Sequence, residues 1–162
     1  MARQVVNSQL WDLMLLLLIL VAAPVYAQST LRLKGKTGDT RTYSGQVRLS
    51  GTYAVDYVGS DLDGDLWFTE DKASRRKLPS NGWREGLIML DPPRNGQDLL
   101  RMFSIPTVRD KGTCGYRGKA TIDIKDFAAF KAGSETGDRA TLVRIVRKAK
   151  PKPVPCRIPP AK

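Results

Sequence analysis

Histidine is missing from all 162 residues. With it go every mechanism that runs on an imidazole base and the commonest zinc and copper sites. Cysteine is scarce: Cys114 and Cys156 are too few for a four-thiolate zinc site or to hold an iron–sulfur cluster unaided. No Gly-x-Ser-x-Gly segment is present, so a serine nucleophile on a strained elbow is not signalled. Acid is in deficit, with Asp+Glu 16 against Lys+Arg 27, a net charge of +11 and a pI near 10.0. At 18.0 kDa the chain is too short for a large multidomain enzyme. Its hydrophobic share of 41% suits a globular domain and is too high for a disordered one.

The one long apolar run lies at the N-terminus. Arg3 precedes Trp11 and a dense stretch from Leu13 to Ala23, which ends Ala23-Pro24-Val25-Tyr26-Ala27 before polar Gln28-Ser29-Thr30. A basic start, an apolar centre and a small residue at the junction describe a secretory signal peptide over 1–27, cut between Ala27 and Gln28. Asp12 keeps the usable run below the ~20 apolar residues that a membrane span needs. The sequence therefore predicts an exported protein, periplasmic or secreted, with no transmembrane segment in its mature part. In an oxidising compartment an even pair of cysteines predicts one disulfide, Cys114–Cys156, stapling the chain's end to its body.

Beyond the leader the pattern is β. From Gln46 to Val58 the residues alternate, with Val47, Leu49, Gly51, Tyr53, Val55 and Tyr57 on one side, and Gly51 is the place for a bulge or sharp bend. A turn over 59–65 leads to the short run Leu66–Thr69. Thr69 is positioned to cap a helix over 70–77 that Pro79 stops, and Asn95 one over 96–103. Between them Leu87–Leu90 reads as a buried strand, and Ala120–Lys125 and Ala140–Val146 as two more. The expected fold is mainly β with two short helices, a small antiparallel OB-like barrel or a partly open sandwich.

Three segments follow: the leader 1–27, one β-rich domain 28–146 and a tail 147–162. The tail is expected to be extended and polyproline-like, because it is rich in proline. Charge concentrates there. Residues 144–162 hold seven basic side chains and no acid, whereas 28–143 amounts to +4.

Candidate sites are few. Asp61, Asp63 and Asp65 alternate like hard-cation ligands, but a calcium loop puts Gly at its sixth position and Glu at its twelfth. Here Gly64 is fourth and Lys72 twelfth, so a polar turn is expected and no metal site. Joined by Glu70, the same acids are the dense group a glycan hydrolase would draw on. Nothing beside them separates their pKa values, so no catalytic residue and no cofactor are expected. Trp67 and Phe68 cannot both face inward from one strand. Trp67, or Trp83 beside Arg84, is thus a candidate recognition surface, with Lys148, Lys150 and Lys152 supplying charge. Cations interleaved with aromatics on such a barrel would suit single-stranded nucleic acid, a ligand that exported proteins seldom meet. The expected function is a non-catalytic β-barrel module binding an envelope partner: a protein, a glycan or an anionic polymer. A small carboxylate-dependent hydrolase of envelope polymers and a purely structural envelope protein are the alternatives.

Overall fold

Strands take 61% of the residues that the computed structural model describes, namely 31–57, 64–79, 86–93, 97–108, 110–131 and 137–156. In chain order they are β1 (Arg32–Thr37), β2 (Thr40–Ser44), β3 (Gln46–Asp56), β4 (Leu66–Glu70), β5 (Ile88–Asp91), β6 (Thr113–Phe130), β7 (Asp138–Lys148) and β8 (Lys152–Pro155). Helix α1 (Lys72–Arg75) follows β4, and α2 (Leu99–Met102) follows β5. The leader with its junction at Ala27 and Gln28 lies outside the described residues, as do Asp61, Asp63, Trp83 and Arg84. Among the described residues no helix is long and apolar enough to cross a membrane.

The spine is β6, paired along both edges. On one side it meets β3, from Gln46↔Lys125 to Asp56↔Gly115, and then β2 from Thr42↔Ala128 to Thr40↔Phe130. Gly45 at φ 110° and Asp126 at φ 49° mark the kink between those two ladders. On the other side β7 and then β8 run antiparallel to it. Antiparallel pairs join β3 to β4 and β4 to β5, and a parallel pair joins β5 to β7. The strands β3–β4–β5–β7–β6 thereby close a ring, and β1–β2 project from it as a hairpin. All eight strands belong to one sheet, where a sandwich would need two.

Period two decides what the ring encloses. Val47, Leu49, Tyr53 and Val55 of β3 point inward, and so do Ala120, Ile122 and Ile124 of β6, all buried. Phe103 at the end of α2 is fully buried against Tyr53, with ring centroids 4.8 Å apart, and closes one end. Burying a side chain of that size contributes roughly 1.5–3 kcal/mol. Burial also pushes the Tyr53 hydroxyl pKa up, and that hydroxyl donates to the Ala149 carbonyl at 3.0 Å. Gly51 lies in the inward row where β3 crosses closest to β4: a Cβ there would sit 2.1 Å from the Thr69 carbonyl oxygen. The expected bulge is absent, since pairing through Gly51 is unbroken on both sides, and the glycine serves close approach instead.

Both helices are shorter than the sequence suggested. Glu70 stays in β4 because it pairs with Gly51. The cap expected from Thr69 comes from Asp71, whose carboxylate accepts from the Ser74 N–H at 2.7 Å. Asn95 and Gly96 lie outside the described residues, and Asp98 caps α2 by accepting from the Leu100 N–H at 2.9 Å.

Of the expected tail, 147–148 complete β7 and 157–162 lie outside the described residues; between them the chain is extended as expected, but it is also hydrogen-bonded as an edge strand. Cys156 N–H donates to Gly112 O at 2.9 Å, so the N–H groups of Val154 and Lys152, one and two strand periods earlier, face β6 the same way. Pro151, Pro153 and Pro155 occupy the alternate positions, where the strand faces away and no donor is needed. The disulfide Cys114–Cys156 is formed, with Cα atoms 4.8 Å apart across 42 positions.

Candidate functional site

The residues between the core positions make the outer face of the ring, and their register across β3, β6 and β7 is fixed by pairing. Arg48 pairs with Asp123 and Asp123 with Arg144; Ser50 pairs with Thr121 and Thr121 with Arg147. Further along β6, Thr52 lies beside Lys119, and Arg117 lies between Ala54 and Lys152.

Arg144 and Arg147 are three apart, a spacing that an ideal strand would put on opposite faces. Register shifts opposite Val143 and Val146 insert one extra residue each, and both arginines come to face outward. The sequence carries this as a triplet repeat, Leu142-Val143-Arg144 then Ile145-Val146-Arg147, which reading with period two does not detect.

Asp123 organises the cluster. It is 2% exposed, and it accepts from Arg48 Nε at 2.8 Å, Arg48 Nη2 at 3.0 Å and Arg144 Nε at 2.7 Å. The Arg48 hydrogen bonds first, and that from Arg144 next, hold its carboxyl below the usual carboxylate range against the opposing effect of burial. A carboxylate kept ionised in this way is no proton donor near neutral pH. Beside it Ser50 Oγ and Thr121 Oγ1 share a hydrogen bond of 2.9 Å.

A groove of ≈ 600 Å³ opens over this face, with Lys119, Thr121 and Arg147 on one wall and Thr69, Glu70 and Asp71 on the other. Both acids of the far wall are engaged: Glu70 meets Arg75 Nε at 3.3 Å, and Asp71 caps α1. The Ser74 backbone N–H chiefly holds the Asp71 pKa low. The side chains of Arg117, Lys119, Arg147 and Lys152 make no hydrogen bond or ion pair among the described residues.

The residues singled out from sequence fall differently. Phe68 faces inward and Trp67 outward, but Trp67 is only 7% exposed, so it is not the open surface expected of it. A Cβ on Gly137 would lie 2.6 Å from Trp67 Cζ3, which shows how closely the residue before β7 is laid against the indole. The three tail lysines do not act together. Lys148 turns inward, donating to the Met102 carbonyl and to Ser104 Oγ at 2.7 Å; Lys152 joins the outer face; Lys150 lies exposed between them. Asp65 is exposed, separate from the cationic groove, and its companions Asp61 and Asp63 lie outside the described residues. Among the described residues no three His, Cys, Asp or Glu side chains are grouped as metal ligands would be.

Sequence reasoning passed over Arg48, Arg117, Lys119 and Asp123 as site residues, and counted Arg144 and Arg147 only within the charge of the chain's end. The alternation Arg117-Gly118-Lys119-Ala120-Thr121 was the available signal, since its odd members must face away from the side on which Ala120 is buried. The chain matches no protein-family model, no curated protein and no solved structure, so the reading of this face rests on its geometry.

Proposed function

We propose that the ring is a small OB-like barrel and that the protein is an exported, non-catalytic module which binds a linear anionic polymer of the cell envelope along its outer face. Five strands close the ring, and α2 lies between β5 and β6 at one end. OB barrels are five-stranded, and they take oligosaccharides or oligonucleotides on an outer sheet face.

The observation that carries the reading is the row Lys152, Arg117, Lys119 and Arg147: four cations without partners among the described residues, in register along β6 on one face. Residues two apart on a strand are about 6.6 Å apart, so a polymer with regularly spaced anions meets them while lying straight. Single-stranded nucleic acid fits less well, because its affinity leans on exposed aromatic platforms. Among the described residues the aromatic beside this cationic row, Trp67, is buried. The disulfide is consistent with export.

Titrating a fluorescent polyanion such as labelled heparin at rising salt tests the reading. Wild-type protein is expected to bind with a steep inverse dependence on salt. The triple variant R117Q/K119Q/R147Q should bind at least about ten-fold more weakly and with a salt slope shallower by roughly two to three. Absence of binding by the wild type, or an unchanged slope in the variant, would overturn it.

A further inference from the structure

Resting on that polyanion reading, we propose that Arg144, Arg147 and the Ser50–Thr121 hydroxyl pair form a site for a tetrahedral oxyanion ester, phosphate or sulfate, on the polymer, with Asp123 as the positioning residue.

The geometry argues for a discrete site rather than diffuse charge. Arg144 spends only Nε on Asp123, so among the described residues both of its Nη atoms remain to donate, and its side chain is 64% exposed. A guanidinium anchored at one nitrogen has already lost the rotamer freedom that an exposed arginine gives up on binding. Arg147 has no partner among the described residues, and it stands on β7 beside Thr121 as Arg144 stands beside Asp123. Residues 121 and 123 are one strand period apart, so the two guanidinium stems are based about 7 Å from each other.

Hydroxyl accounting adds a third donor. Ser50 and Thr121 hold two hydroxyl protons between them, and their mutual hydrogen bond uses one. The other is left for a ligand. The donors thus come from β3 or β6, and twice from β7, and are not coplanar. One guanidinium fork matches both oxygens of a planar carboxylate, as Arg48 does on Asp123 within this protein, and further donors then share those same two oxygens, as Arg144 Nε does. A tetrahedral monoester presents three free oxygens and takes all three donors. Among the described residues, the carboxylates that face this cluster are Asp123 itself, already satisfied by both arginines, and across the groove Glu70, held by Arg75, and Asp71, engaged as the α1 cap.

Positioning by Asp123 makes an unusual demand on the electrostatics. Asp123→Asn adds one unit of positive charge to an anion-binding face. Were charge alone in control, that variant would bind polyanions more tightly. If the carboxylate sets the guanidiniums in place, it binds tetrahedral esters more weakly despite the added charge.

The probes are three dextrans of matched length and charge density: dextran sulfate, phosphorylated dextran and carboxymethyl-dextran. Wild-type protein should bind the better of the two ester forms about ten-fold more tightly than the carboxylate form at equal salt, and that preference names the ester. R144K/R147K keeps the charge and removes the forks; it should bind carboxymethyl-dextran within about two-fold of wild type and lose the ester preference. Both positions are exposed, so this variant reports even if D123N fails to fold. Equal binding of the three dextrans by wild type, an ester preference surviving in R144K/R147K, or tighter ester binding by folded D123N would overturn the site. The first of these leaves the polyanion reading standing. Failure to bind any of the three removes both.

Discussion

Asp123 accepts a hydrogen bond from Arg144 Nε at 2.7 Å, and the carboxylate side chain is 3% exposed where the arginine's is 64%. A buried anion is thus neutralised from the solvent side, by a cation that keeps most of its hydration. Such a pair avoids much of the desolvation cost of a fully buried one.

Its pH dependence follows. The carboxyl pKa of Asp123 is lowered in the folded state, chiefly by Arg48. The stability it contributes is fully present above the unfolded carboxyl value of about 3.9 and is lost as pH falls through the lower folded value. Asp123→Asn should cost about 2 kcal/mol at pH 7. Urea unfolding at pH 7 and at pH 3 should show the gap between wild type and variant narrowing at the lower pH.

Gly51 tests the close crossing of β3 and β4. The atoms that a Cβ would meet include the Thr69 carbonyl at 2.1 Å and Glu70 Cα at 2.9 Å, backbone groups that cannot swing aside. Gly51→Ala should therefore destabilise by about 3 kcal/mol. At Gly35 the nearest atom to a Cβ is Thr42 Oγ1 at 3.4 Å, so Gly35→Ala should stay within about 0.5 kcal/mol in the same denaturation experiment.

Breaking the disulfide should loosen the end of the chain before the ring. For a separation of 42 residues the chain-entropy treatment gives about 4 kcal/mol. With C114S/C156S, amide exchange should accelerate first at Lys152 and Val154 and only later at Ile122 and Ile124. Uniform acceleration across β6 would show that β8 and the ring open together.

Prolines 153 and 155 deny the outward edge of β8 its donors. Replacing both by alanine restores two N–H groups to a strand already held in extended form, and a second chain can then pair with it. P153A/P155A should show concentration-dependent association by light scattering, where the wild type shows less.

The inward side of this fold was readable because burial imposes alternation. Val47 to Val55 and Ala120 to Ile124 announce two strands and the direction of their side chains. The β1–β2 hairpin escaped notice because Leu33 and Tyr43 alone mark its apolar side among the cations Arg32, Lys34 and Lys36, and its signal was the Gly38-Asp39 turn, with Gly38 at φ 54°. Helix ends were misjudged where a strand claimed Glu70, a long-range competition that local capping preferences do not contain. Proline argued against a central strand and was right, yet an edge strand with prolines at every second residue obeys the same rule. The outer face was the least legible part. Two bulges moved Arg144 and Arg147 to one side, and bulges depend on the partner strand as much as on the strand itself.

The position of β6 within the chain also governs how the molecule assembles. Its residues arrive after β3 has been made and before β7, yet they must pair with both; Arg48 finds Asp123 across 75 positions. Contacts of such sequence separation place folding in the slow, millisecond-to-second range of β proteins. Until Thr113–Phe130 emerges from the ribosome, β3 and β4 are a half-built wall with an apolar inner side and an unpaired margin. That waiting intermediate, rather than the finished ring, is the form of this protein most in need of protection from aggregation.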